Sequence, residues 1–141
     1  MPGVYPSESV VHLLHRAAQK ADATFMRHSV GLTPRLFEVL KAVDAAGGLS
    51  QNDITVATGI DRSSVASLVA KLIEMECLTR RKRPSDNRTY AVYLSADGNA
   101  ALRRNLAVTD QIDADLLSPL SRKERTGLLS LLRTLAKTTR R

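Results

Sequence analysis

The chain has 141 residues, 43% of them hydrophobic and 4% aromatic with no Trp, so it has one domain's length and a core drawn from Leu, Val, Ile and Ala. That composition favours packed helices over a β-sandwich. Its 21 Lys and Arg against 14 Asp and Glu leave a net charge of +7, the balance of a nucleic-acid binder. No run approaches the roughly 18 apolar residues of a membrane span. Met1 to Ser9 lack the basic-then-apolar order of a signal peptide, and the single Cys77 has no partner for an intramolecular disulfide. The expectation is a cytoplasmic protein with no membrane partner.

Residues 7–29 read as a long first helix, with Val10, Leu14, Ala17, Ala21 and Phe25 at helical spacing and Val11, Ala18 and Met26 widening the stripe. Such a helix, roughly 30 Å long, is too long for a small domain to cover and points to a partner chain. In Gly31-Leu32-Thr33-Pro34, Gly makes the turn, Thr33 caps a second helix and Pro34 takes its first position. That helix runs to about Ala46 with Leu36, Phe37, Val39, Leu40 and Val43 apolar, and Gly47-Gly48 ends it. Ser50 caps a short third helix, Asp53 resembles the acid of a capping box, and Ile54, Val56 and Ala57 form its expected buried side. Gly59 fits a left-handed C-cap, and Asp61 caps a fourth helix over 61–76.

Val65, Leu68, Val69 and Leu72 form one face of that fourth helix. The opposite face carries Arg62, Ser63, Ser64, Ser67 and Lys71, with no acid after Asp61 until Glu74. Leu78–Arg83 and Thr89–Leu94 read as strands of a hairpin, joined by the turn residues Pro84-Ser85-Asp86-Asn87. Ser95 starts a long fifth helix to about Leu116, with Leu102, Leu106 and Ile112 apolar, and Pro119 breaks it. Ser121 and Glu124 form a capping box for a sixth helix whose stripe is Leu128, Leu131, Leu132, Leu135 and Ala136, with Arg140-Arg141 fraying. There is no internal repeat and no low-complexity linker.

Two helices joined by a tight Gly-containing turn let the second enter a major groove, where side chains near its N-terminus reach base edges. Arg62, Ser63, Ser64, Ser67 and Lys71 stand there. Arg suits guanine O6 and N7, and Ser suits bases or phosphates. The hairpin adds Arg80, Arg81, Lys82, Arg83 and Arg88 against the single acid Asp86, a net four of the chain's seven excess positive charges. A tip so charged suits a minor groove. Ser50 and Gln51 at the third helix's N-terminus suit a phosphate. The plainer readings are a solvated helix face and a charged edge strand guarded against aggregation.

From Leu49 to Gly98 the sequence resembles the MarR family of winged-helix transcriptional regulators. The wing signature appears as Asp86, Arg88, Val92, Leu94, Ser95 (for Thr) and Gly98, and Gly59-Ile60-Asp61-Arg62-Ser63-Ser64-Val65 is similar to the family's turn and recognition-helix start. Thr55 stands where Ala is common, Cys77 replaces a usual Gly, and Asn87 replaces a common Arg. The resemblance implies a mainly α fold with a small β-wing, a winged helix-turn-helix flanked by long dimerisation helices. On that expectation 1–141 is one domain, with a DNA-binding lobe at 32–95 and dimerisation helices at 7–29 and 96–138. It further implies a homodimer on pseudo-palindromic double-stranded DNA, Arg88 in the minor groove oriented by Asp86, and a small aromatic acid as effector. His12, His15 and Arg35 are candidate polar contacts for that effector.

His12 and His15 are spaced to share a metal, but no third ligand is evident, and no cofactor is expected. Cys77 is not near the start of the first helix, where the family's peroxide-sensing members carry theirs, and is expected to pack at the helix–wing junction. No nucleophile with a base, paired carboxylate or phosphate-cradling Gly loop occurs in a convincing context, so an enzyme is not expected. The competing functions are a nonspecific architectural nucleic-acid protein and a protein-interaction module built on the terminal helices.

Overall fold

The structure, a computed structural model, describes residues 9–137. The expected helix start at residue 7, the end at residue 138 and the fraying of Arg140-Arg141 lie outside the described residues. The elements are α1 (Val10–His28), α2 (Pro34–Ala46), α3 (Gln51–Thr58), α4 (Arg62–Glu74), β1 (Leu78–Arg83), β2 (Asp86–Leu94), α5 (Ala96–Leu106), α6 (Thr109–Leu116) and α7 (Arg122–Ala136). They fall into two compact units, one over Val30–Val108 and one formed by the described residues up to Ser29 and from Thr109.

In the Val30–Val108 unit the capping residues act as their sequence positions imply. Thr33, Ser50, Asp61 and Ser95 each accept a hydrogen bond from the backbone N–H three residues on, satisfying a donor that the helix cannot. Leu40, Val43, Ile54, Val65, Val69, Leu72, Leu78, Val92 and Leu102 are buried around α2. Each such side chain contributes about 1.5–3 kcal/mol relative to exposure. Thr58 and the left-handed Gly59 close α3, and Thr58 Oγ1 accepts from the N–H of Ile60, which turns the chain into α4. β1 and β2 pair antiparallel, and Leu49 exchanges two backbone bonds with Val92 to add a bridge on the far side of β2. Asn105 joins the ends of this unit: its side chain accepts from Val30 N and donates to Val30 O and Ala101 O, leaving no buried amide atom unpaired.

The second unit packs α1 with α6, with Thr24, Phe25 and Ile112 buried. Asp115 accepts from Arg27 at 2.8 Å and pairs with His28 Nε2 at 3.0 Å. Arg27 first and His28 second hold its carboxyl below the usual range. The Ser121–Glu124 capping box forms with both of its hydrogen bonds. Val10, Val11, Leu13 and Leu14 of α1 and Leu129, Leu131, Leu132 and Leu135 of α7 are exposed in the single chain.

Three readings of the sequence are corrected. The fifth helix does not run unbroken to Leu116: it stops at Leu106, and a turn at 107–108 precedes α6. Asn105 lies at that break, its side chain bonded to backbone in competition with helix continuation. β2 begins at Asp86 and not at Thr89, because the Asp86 carboxylate accepts from Arg88 N and Thr89 Oγ1 and draws the turn residues into the strand. Val56, 74% exposed, and Ala57 do not face the core; Ile54 alone anchors α3 there. The left-handed residue at the end of α4 is Glu76, one position before Cys77.

Cys77 itself is buried where α4 passes into β1, and burial, then the Asp97 charge, raises its thiol pKa. Its carbonyl accepts from Ser95 N, while Gly98 lies so close that a side-chain carbon there would overlap that carbonyl. Since the obstacle is backbone, Gly98→Ala is expected to destabilise the fold by about 3 kcal/mol. Urea unfolding measures this directly, and wild-type stability in the variant would mean that the junction yields easily.

Candidate nucleic-acid interface

The exposed start of α4 is organised around Asp61. Its carboxylate accepts from Ser64 N at 3.0 Å, Ser64 Oγ at 2.7 Å and Ser63 Oγ at 2.8 Å. These bonds, Ser64's first and Ser63's second, hold its pKa down to about 2. Arg62, Ser67 and Lys71 are exposed on the same helix and form no ion pair among the described residues. A groove brings Ser63, Ser64, Ser67 and Leu68 together with Arg35, from the first turn of α2. Arg35 therefore stands beside α4, whereas His12 and His15 belong to the other compact unit, exposed on α1.

On the hairpin, cations and tyrosines alternate across the strands. Lys82 faces Tyr90 in the register, and the Arg80 guanidinium lies 4.8 Å from the Tyr90 ring centre. Arg81 stacks over Tyr93 at 4.0 Å, and that ring lies so close to Gly48 that a side-chain carbon there would overlap it. These cation–π contacts hold the basic side chains without neutralising them. Arg83 differs: it donates to Asp53 of α3 at 2.6 Å, a half-buried tie between the wing and the helix-turn-helix. Asp53 thus turns outward to the wing, and Arg83 ahead of the Ser50 hydroxyl lowers its pKa.

Between Lys82 and Arg83 the register slips, and Asn87, Arg88 and Thr89 bulge from β2. The Arg88 side chain is 95% exposed, with Nε 3.6 Å from Asp86 Oδ1, and the Arg88 N–H followed by the Thr89 hydroxyl lowers the pKa of that carboxyl. A cleft of about 350 Å³ joins Arg80 and Arg88 of the wing to Ser50, Gln51 and Asn52 at the start of α3. The sequence reading missed Asn52, Asp53, Tyr90 and Tyr93; the alternation of Arg or Lys with Tyr across the hairpin was the available signal. Thr55 fits its helix by returning its hydroxyl to Gln51 O. No group of three or more His, Cys, Asp and Glu that could hold a metal occurs among the described residues, and no helix among them is long and apolar enough to cross a membrane.

The MarR family model matches residues 30–89. A relative from Thauera aromatica, named as a putative transcriptional regulatory protein for the hcr operon, is 34% identical over 84% of this chain and 72% of its own. A structure of Bordetella bronchiseptica BpsR, described as regulated in its DNA binding by 6-hydroxynicotinic acid, superimposes with a TM-score of 0.88 at 31% identity, covering 96% of this chain and 98% of that one. The transcriptional repressor CouR bound to a 23-mer DNA duplex matches with a TM-score of 0.86 at 31% identity, over 97% and 99% of the two chains.

The Asp53–Arg83 tie has a definite pH signature. A carboxyl whose pKa is lowered on folding contributes stability above its unfolded value, near 3.8 here, and loses it as pH falls through the lower folded value. Asp53→Asn is expected to cost about 0.5–1 kcal/mol at neutral pH, the pair being partly exposed. The difference from wild type should shrink as pH is taken below about 3.8, the unfolded value. Urea unfolding across that range checks it, and a gap that persists in acid would assign the cost to something other than the ion pair.

Proposed function

The chain belongs to the MarR family of DNA-binding transcriptional regulators, and from that premise we propose that it is a ligand-responsive homodimeric repressor acting on a pseudo-palindromic operator. One observation carries the reading. Arg62, Lys71, Arg80, Arg81 and Lys82 are exposed on one helix-turn-helix and its wing with no acid partner among the described residues, while Asp61, Asp53 and Asp86 are engaged by Ser63 and Ser64, by Arg83 and by Arg88. Unneutralised cations in such an array suit phosphates.

In this reading Arg62, Ser63, Ser64 and Ser67 meet base edges in the major groove, and Lys71 and Arg35 flank them at the backbone. Arg88, braced by Asp86, enters the minor groove, and Ser50 and Gln51 with Arg80 hold a phosphate in the cleft between α3 and the wing. The leucines left exposed on α1 and α7 cover one another across a two-fold axis, giving one reader per half-site. BpsR's response to an aromatic acid supports an effector of that class here, with His12 and His15 as polar contacts; CouR's designation supports repression. The reading locates the DNA-binding lobe at 32–95 and the dimerisation helices in the flanking segments.

Selection of bound duplexes from a random pool is expected to return an inverted repeat with half-sites about one helical turn apart, preferred over random DNA by roughly 10³-fold or more. Binding without preference would mark a nonspecific protein instead. Arg88→Ala should weaken binding to all duplexes and lower the salt slope by about one. Leu132→Glu with Leu135→Glu should convert a dimer to monomers in sedimentation; an unchanged mass would remove α7 from the interface. Aromatic carboxylates should raise the melting temperature, and no shift at saturation would remove the effector.

A further inference from the structure

We propose that Asp61 fixes the Ser63 and Ser64 hydroxyls as hydrogen-bond acceptors, so that the start of α4 selects an exocyclic amino group, the N4 of cytosine or the N6 of adenine, on the DNA strand it faces. The proposal rests on the reading of α4 as the base-reading helix and specifies what it reads.

A serine hydroxyl has one proton and two lone pairs, and an ionised carboxylate has no proton to give. With Ser63 Oγ 2.8 Å and Ser64 Oγ 2.7 Å from Asp61, the proton in each bond must come from the serine. Bonds to an ionised acceptor are also stronger than those between neutral groups. Both serines therefore spend their proton inside the protein and present lone pairs outward, beside the remaining acceptor capacity of Asp61. Guanine offers N7 and O6 at the major-groove edge and thymine offers O4, acceptors that would face acceptors. Cytosine N4 and adenine N6 are the donors. Phosphate is excluded for the same reason, which leaves Arg35, across the groove from Ser63 and Ser64, to take the backbone.

Every base pair carries one such amine, so the selection acts on which strand bears it. It separates A from T and C from G at the contacted position. Ser67, one turn along, lies outside the Asp61 network and is not fixed in this way.

The test uses the full-length protein and a duplex enriched by it from a random pool. The duplex is resynthesised with single amino deletions, 2-pyrimidinone for cytosine and purine for adenine, and binding is measured by fluorescence anisotropy. One deletion per half-site is expected to weaken wild-type binding about tenfold. Which analogue does so distinguishes cytosine from adenine. In Asp61→Asn the carboxamide oxygen still caps the helix and can accept from Ser63, but the NH2 that replaces the other oxygen cannot accept from Ser64 Oγ, so the Ser64 proton is released and that penalty should fall to about threefold or less. An unchanged melting temperature checks that the cap survives, and Ser63→Ala with Ser64→Ala should remove the same penalty by another route. No sensitive amine, or a tenfold penalty retained in Asp61→Asn, would overturn the proposal while leaving the operator reading intact, because the enriched repeat would still be preferred over random DNA. Failure to enrich any repeat would overturn both.

Discussion

The direction of the hairpin relative to α4 is decided at the Cys77 carbonyl. The oxygen accepts from Ser95 N and lies against Gly98, while Glu76 reverses the chain in a left-handed conformation and its own carbonyl accepts from Ser95 Oγ at 2.6 Å. The end of α4, the first residue of β1 and the start of α5 are thereby joined within a few ångströms, where no side chain at residue 98 fits. The Arg83–Asp53 pair then holds the outer half of the hairpin to α3, and the Leu49–Val92 bridge holds its base. Two backbone constraints and one ion pair thus turn a hairpin into a rigid arm, and preorganisation of this kind lowers the ordering cost of binding.

Charge on that arm is managed in two ways. Arg80, Arg81 and Lys82 rest on tyrosine rings, which restrict their motion but leave the full positive charge available. Arg83 is committed to a carboxylate and serves structure. The sequence counted these residues alike, because composition does not tell a cation on an aromatic face from one neutralised by an acid thirty residues earlier.

What was legible followed from local chemistry. The starts of α2, α3, α4, α5 and α7 were visible as a Ser, Thr or Asp cap, since capping involves residues only three apart. The strands were visible from β-branched and aromatic residues, and the acid-free run after Asp61 from simple inspection. What failed depended on distant partners. Nothing near Leu106 announces the break before α6, because Asn105 is held by Val30, seventy-five residues away in sequence. Val56 and Ala57 fit an apolar helix face but face outward, since an eight-residue helix buries one side chain fully, Ile54, at the turn that precedes α4. Arg35 lacked any sequence mark linking it to Ser63 and Ser64; only the packing of α2 beside α4 brings them into one groove.

Asp61 shows how stability and specificity can reside in one group. As an N-cap, Asp is interchangeable with Ser or Asn to within a few tenths of a kcal/mol, so stability alone does not demand it. As an anion at a helix N-terminus it also gains from the macrodipole, an advantage that phosphate contact would otherwise claim. If DNA arrives at the start of α4 as proposed, a fixed negative charge there weakens non-specific attraction at that point. The compensation lies in the two serines, whose hydroxyls could otherwise rotate to donate or accept as each base requires. Held by an ionised cap they lose that latitude, and a surface otherwise suited to any phosphate gains a preference that only a base edge can satisfy. On the same proposal the unneutralised cations of the wing would supply the affinity that this arrangement forgoes, so that α4 and the wing are better understood as one device than as two.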